Sequence, residues 1–371
     1  MPPVFGVYVH VPWCRTRCPY CAFVVDTRRT PDDDAWRAAV LADWTRERGH
    51  FAGSPETLSF GGGTPSRAEI GALAAVVDAV APRGEVSLEA NPEDVTAESL
   101  RAWRDLGVTR LSLGVQTFDP AIAPKLGRAH SAREARAALE LCASAGFTSF
   151  SIDLIFGLPE QGEASLLADI DLAATLGVPH LSLYSLTIEP DTTFAKRGRA
   201  PVDDDAWASL HDVAVQRLER HGLSRYELSN FARPGHRSVH NEHYWRARRW
   251  AGLGPGAHGW RPDGTRVANS GDVAAWLAGA PAEVERPDAR AMLYELVWST
   301  LRHVDGVDRA LVHRLTGFRP TAPRDLVTHA LVEQTEEFIR LRPPGFAVSD
   351  SIVARVVEHT AHTPSSTRDR G

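Results

Sequence analysis

The stretch Val4-Phe5-Gly6-Val7-Tyr8-Val9-His10-Val11-Pro12-Trp13-Cys14-Arg15-Thr16-Arg17-Cys18-Pro19-Tyr20-Cys21 joins a strand-like apolar run to three cysteines spaced C-x3-C-x2-C. The chain has one further cysteine, Cys142. Thiolates are the ordinary protein ligands of iron–sulfur clusters, and full ligation of a [4Fe–4S] cube takes four. Three thiolates on one short loop hold three irons and leave the fourth open to a small molecule. Structural zinc is the rival reading, but such sites take four Cys or His ligands in paired spacings. The nearby His10 lies on the strand before the loop. Disulfides suit small secreted chains, and nothing here suggests export.

Outward from this loop, short β-branched or apolar runs alternate with helix-compatible stretches. The strands are expected at Val4–Val11, Thr57–Phe60, Glu85–Glu89, Arg110–Val115, Ser149–Leu154 and His180–Leu186. Helices are expected at Asp32–Arg46, Arg67–Val80, Glu98–Asp105, Ala132–Ala145 and Glu163–Ala174, with Ser131 and Glu134 as a capping box. The alternation predicts βα units and a parallel sheet, either a partial (β/α)6 TIM-like barrel or a doubly wound sheet. Polar residues follow each strand: the cysteine loop, the Gly61–Pro65 run, Glu89 to Pro92, Gln116, Asp153, and Tyr184 with Glu189. Active sites of barrels gather at the C-terminal strand ends, so this punctuation favours the barrel. Cys142 follows Ala135, Ala138 and Leu139 at helical spacing and reads as core.

Gly61-Gly62-Gly63-Thr64-Pro65 on its own reads as a tight loop. Beside the cysteine loop it resembles the GGTP motif of the radical S-adenosylmethionine (SAM) superfamily, in which SAM's methionine moiety chelates the open iron. Further segments resemble a narrower group, that of oxygen-independent coproporphyrinogen III oxidase and the heme chaperone HemW. They are Tyr8 to Trp13, Ser87 to Pro92, Gly107 to Ser112, Leu113 to Phe118 and Ile152 to Pro159. The resemblance runs in order over roughly residues 5–350. It implies a radical SAM core over 1–225, a mainly helical C-terminal domain over 226–359, and a disordered tail over 360–371. By match to its motifs, Tyr8, Gly62, Gly63, Thr64, Glu89, Gln116, Arg128 and Asp153 are expected SAM contacts. Glu89 suits the ribose hydroxyls and Arg128 a carboxylate. Cys14, Cys18 and Cys21 are the expected cluster ligands.

Two features separate the branches of this group. The oxidase carries a fourth cysteine two residues after the third; here that position is Phe23, as in the chaperone branch. His240-Asn241-Glu242-His243-Tyr244-Trp245 matches H-N-x-x-Y-W, the heme-binding motif of that branch. Without the resemblance it reads as a loop with packing aromatics; with it, His240 is the expected axial ligand of heme. Gly252-x-Gly254-x-Gly256-Ala257-His258 reads as successive tight turns, lacking the setting of a dinucleotide fingerprint. The resemblance places it by the cofactor cavity, with His258 as a lining residue. The implied function is a heme chaperone that holds a [4Fe–4S] cluster, SAM and heme and passes heme to respiratory apoproteins such as cytochromes at the membrane. The rival is the porphyrin-biosynthetic enzyme, oxygen-independent coproporphyrinogen III oxidase.

Composition bounds these readings. The 41 basic and 47 acidic residues give a formal charge of −6, against a general nucleic-acid grip. Lys125 and Lys196 are the only lysines, and the arginines are spread along the chain. No apolar stretch approaches the ~20 residues that span a bilayer, so no integral membrane segment is expected. The N-terminus lacks the charged and apolar regions of a signal peptide. A cytoplasmic protein is expected, with any membrane association through a partner. After residue 225, Asp288–Leu301 and Asp325–Leu341 are expected as helices, Pro343–Phe346 as a turn and short strand, and Ser351–His359 as a last helix.

Overall fold

The computed structural model describes residues 4–28 and 30–361. Its first part alternates six strands with five helices: β1 Phe5–Val11, α1 Asp33–Glu47, β2 Thr57–Gly62, α2 Ile70–Val80, β3 Val86–Ala90, α3 Ala97–Asp105, β4 Arg110–Gln116, α4 Ala132–Ser144, β5 Ser149–Phe156, α5 Glu163–Thr175 and β6 His180–Ser185. The strands from β1 to β6 are parallel and lie side by side in sequence order. A doubly wound sheet would reverse its order at a switch point. The sequential order makes this the partial (β/α)6 barrel. Sheets buried on both faces need near-continuous apolar strands. Phe5–Val11 meets that need, with six of seven residues buried and Tyr8 the exception.

The helices start where the sequence supplies caps. Asp32 accepts the Ala35 amide at the start of α1, and Thr96 with Ser99 caps α3. Ser131 and Glu134 form the expected box on α4, each cap contributing about 1 kcal/mol. The buried face of α4 is Ala135, Ala138, Leu139 and Cys142.

The chain continues through α6 Thr193–Lys196, α7 Asp204–Arg220, β7 Ser224–Arg225, β8 Asn230–Ala232, α8 Val239–Trp245, β9 Arg249–Leu253, β10 His258–Trp260, β11 Arg266–Ala268, α9 Val273–Leu277 and β12 Glu283–Glu285. The barrel sheet extends past residue 225. Strand β9 pairs parallel with β1, and β8 antiparallel with β6. The end strands of a six-stranded parallel sheet would otherwise leave backbone donors and acceptors unpaired. A buried carboxylate anchors this extension: Asp43 Oδ2 on α1 accepts from the Gly254 amide, Asn269 Nδ2 and Trp276 Nε1 at 3.0, 2.9 and 3.0 Å. One compact unit accordingly comprises Met1–Arg225, Ser229–His240 and Arg249–Val284.

The second unit comprises Tyr226–Leu228, Asn241–Arg248 and Glu285–Gly371. It contains α10 Ala289–Leu301, β13 Val307–Asp308, α11 Arg309–Thr316, α12 Arg324–Thr328, β14 Val332–Gln334, β15 Phe338–Leu341, α13 Pro343–Phe346 and α14 Ser349–His359. The stretch 325–341 is not one helix. Its helix, α12, ends at Thr328, and after Ala330, whose φ is +56°, the chain returns as a hairpin with Val332, Ile339 and Leu341 buried. Thr335 Oγ1 accepts the Glu337 and Phe338 amides at its turn. The strand period of two placed those three apolar residues inside, and a helix would have scattered them. Pro343–Phe346 is a short helix rather than a strand, since proline suits a first helical turn. Thr360, in the expected tail, is buried and donates to the Val356 carbonyl; positions 362–371 lie outside the described residues. No helix among the described residues is long and apolar enough to cross a membrane.

Candidate functional site

The loop after β1 is closed by its backbone. The Asp26 amide donates to Pro12 O at 2.7 Å, the Cys14 amide to Asp26 O at 2.9 Å, and the Cys21 amide to Cys18 O at 3.0 Å. All three cysteines line one cavity of about 320 Å³ with Gly62, Gly63, Thr64, Glu89, Asn91, Gln116 and Asp153. Residues from the C-terminal ends of β1 through β6 thus meet at one opening. Burial, and then their mutual proximity, push the Cys14 and Cys21 thiols above their usual range. Thr64 Oγ1 lies 3.4 Å from Cys14 Sγ, and Arg128 Nη1 lies 3.7 Å from Cys18 Sγ.

The donor set suits a cubane. Among the described residues no three His, Cys, Asp or Glu side chains converge on a single metal ion. A cube would take one thiolate on each of three irons, and Cys14, Cys18 and Cys21 all line this cavity. Arg128 supplies positive charge beside an anionic sulfur site, and its buried Nε has no hydrogen-bond partner.

Two carboxylates face the same space. Glu89 Oε2 accepts the Gly62 amide at 3.1 Å. Its carboxyl touches the cavity's solvent yet is walled by protein on its other sides; this burial, and then Asp153, push it up to about 7. Asp153 is pushed up to about 6 by burial, partly offset by Ser182 and by Ser112, whose hydroxyl donates at 3.2 Å. Two protonatable carboxyls in a closed space favour a cationic ligand, which would restore their charge.

Gln116 ends β4 with φ +70°, beyond a register shift at Gly114. A non-glycine residue held there stores strain that is common at binding sites. Tyr8 is not among the residues that line the cavity; its hydroxyl lies 3.2 Å from His10 Nδ1. The glycines answer first to the protein. A Cβ at Gly62 (φ +106°) would lie 2.3 Å from the His10 ring, and one at Gly63 would lie 2.7 Å from the Pro12 carbonyl carbon. A side chain at Gly63 would therefore press on Pro12, which leads into Cys14, as well as on any ligand of the loop.

Two histidines stand apart from this cavity. His240 is buried at the start of α8, with Nδ1 2.8 Å from Thr57 Oγ1 and its amide donating to Glu85 Oε1 at 3.0 Å. Burial lowers its ring to about 3, so it is neutral. His258 is exposed on β10 and does not line the cavity. Its backbone fills the space beside Gly252, where a Cβ would lie 2.2 Å from the His258 oxygen. Sequence reasoning missed Asn91, which accepts from Arg128, and Ser112 and Ser182, which hold Asp153. Asn91 had a signal in its place after a strand. The serines had none, because their role comes from cross-strand register.

Residues 8–173 match the radical SAM superfamily. The heme chaperone HemW of Escherichia coli (strain K12) is 34% identical over 345 residues, covering 89% of this chain and 91% of that protein. The chain belongs to the HemW family of radical SAM proteins. HemW of Bacillus subtilis (strain 168) is 31% identical over 371 residues, covering 94% of this chain and 97% of its own. The solved coproporphyrinogen III oxidase (HemN) of Escherichia coli, a radical SAM enzyme, superposes with a TM-score of 0.80. It is 20% identical, and the match covers 96% of this chain and 90% of that one. That likeness is one of fold.

Proposed function

We propose that this chain is a heme chaperone, holding a [4Fe–4S] cluster on Cys14, Cys18 and Cys21, binding SAM beside it, and delivering heme to respiratory apoproteins. The observation that carries this reading is the single cavity in which three thiols meet Glu89, Gln116 and Asp153, in a chain of the HemW family. When bound, the cluster supplies one iron without a protein ligand, where SAM's amino and carboxylate groups chelate. The chain's own residues orient that ligand. The Gly62–Thr64 edge presents backbone, Glu89 meets ribose hydroxyls, and Glu89 with Asp153 gives negative charge toward the sulfonium. Arg128, held by Asn91 and the Gly114 carbonyl, keeps positive charge against Cys18.

Heme ligation by His240 is part of this reading. In the conformation described here the ring is engaged with Thr57, so ligation requires the start of α8 to move. Phe23 stands 64% exposed where the oxidase has a cysteine, which supports the chaperone over porphyrin oxidation. Anaerobic reconstitution, followed by separate assays of heme retention and coproporphyrinogen III turnover, tests the choice. Retained heme without turnover supports it; robust turnover without heme retention overturns it.

A further inference from the structure

Gln116 sits in a turn that would not form unaided. The Thr117 amide donates to Val115 O at 2.9 Å while Gln116 holds φ at +70°. A hydrogen bond across three residues with a positive φ at the middle one is the rare, strained form of the γ-turn. A non-glycine residue stays in such a conformation only where its surroundings over-determine it. The turn has a consequence inside the cavity, which Gln116 lines. A Cβ at Gly114 would lie 3.0 Å from Gln116 Nε2, 3.0 Å from Arg128 Nη2 and 3.4 Å from Asn91 Oδ1, so three polar side-chain ends converge there.

The restraint on the turn comes from α5, behind the cavity wall. Asp169 Oδ2 accepts the Thr117 hydroxyl at 2.7 Å, and its Oδ1 accepts the Phe118 amide at 2.9 Å. Thr117, Phe118 and Asp169 are all buried, and none of them lines the cavity. One turn earlier on the same face of α5, Ser165 donates to Asp119 Oδ2 at 2.7 Å. The Thr117 hydroxyl oxygen also accepts the Asp119 amide at 3.1 Å. The residues after the strained position are thus fixed one by one, and without Asp169 the buried Phe118 amide would lose its acceptor.

We propose that Asp169 is a positioning residue for the SAM site: its carboxylate locks the strained turn, and the turn aims the Gln116 side chain at the ligand. This rests on the SAM reading above and extends it to a residue that touches neither the cavity nor its contents. Asp169 acts on the ligand only through Gln116, which separates this role from a general contribution to the fold.

The test uses the full chain with its cluster reconstituted, SAM titrated by calorimetry, and amide exchange of residues 114–120 followed without SAM. Asp169→Ala should weaken SAM about tenfold at unchanged iron content and speed exchange of the Phe118 amide. Asp169→Asn should restore most of both, because its amide oxygen still accepts from Phe118 and its shape is kept. In Gln116→Gly no side chain remains to be aimed, and glycine takes the positive φ freely. Added to Gln116→Gly, Asp169→Ala should therefore cost SAM less than about twofold. A merely structural role would cost the same in both backgrounds. That equal loss overturns the proposal, and so does unchanged SAM affinity in a folded, iron-loaded Asp169→Ala. Should Asp169→Ala not fold, Thr117→Val takes its place, removing one of the two partners at constant shape. Its expected loss is about threefold, confined to the Gln116 background, and no loss or an equal loss overturns the proposal. A wild type that takes up no SAM overturns the SAM reading and the role of Asp169 together, whereas the failures above, with SAM bound by the wild type, overturn the role of Asp169 alone.

Discussion

His240 Nδ1 and the Thr57 hydroxyl lie 2.8 Å apart, at the opposite end of β2 from the glycines that line the cavity. Six residues of strand put about 17 Å between these ends. The expected heme ligand and the expected cluster site therefore occupy separate parts of the barrel unit, and either can be altered without touching the other.

His240→Ala should lower heme affinity and change the Soret band if the ring supplies an axial nitrogen. Thr57→Val removes the hydroxyl that holds Nδ1, so it should leave heme ligation intact or strengthen it. It should also cost about 1 kcal/mol in urea unfolding through the lost hydrogen bond. Heme spectra of the two variants that match the wild type would remove His240 from the ligand set.

Acid should weaken the fold through the same ring. In the unfolded chain His240 takes a proton near its ordinary value of 6.5, while in the fold it stays neutral down to about 3. The unfolded state therefore binds more protons between these values, and stability falls as pH drops through that window. Between pH 7 and pH 5 this one group should cost about 2 kcal/mol. Urea melts at both pH values should show a smaller difference in His240→Gln; an equal difference would rule the ring out as its source.

Replacing Cys14, Cys18 or Cys21 by Ala should abolish the brown absorbance of the reconstituted protein, since two thiolates cannot anchor a cube. Cys142→Ala should keep it. Its thiol is buried on α4 and pushed up to about 12, so its loss is a packing change of about 1 kcal/mol. Iron lost as readily from Cys142→Ala would mean that the loop does not act alone.

Gly63→Val should impair cluster loading as well as SAM binding, because its first side-chain atom meets Pro12 two residues before Cys14. Iron content and a SAM titration of one preparation read both effects. A fully loaded variant that only loses SAM would show that the loop yields without consequence.

SAM affinity should rise with pH. Glu89, raised to about 7, carries a proton at pH 6 and is charged at pH 8. A cationic ligand favours the charged form, so binding should be about tenfold weaker at pH 6 than at pH 8. Calorimetry on Glu89→Gln should show weaker binding and most of this slope removed. A steep slope in that variant would transfer the effect to Asp153.

The sequence by itself determined the parallel βα order, the caps, the core face carrying Cys142 and the family. Each of these is local: a strand run, an N-cap pair or a cysteine spacing acts within a few residues of itself. The three thiols already stood on one loop, and the polar residues after each strand already pointed to one end of a barrel. Tertiary structure decided what depends on distant partners. It completed the sheet edges with β8 and β9, since unpaired backbone groups at an edge must be met by whichever strands the fold brings there. It turned 332–341 into a hairpin after the short helix α12, because burying Ile339 and Leu341 outweighed helix-compatible residues. It set Ser182 beside Asp153 by cross-strand register, and it enclosed His240 against Thr57 across 183 residues of chain. A motif names the residue types at a site; burial and the partners that packing supplies decide their charge and reach.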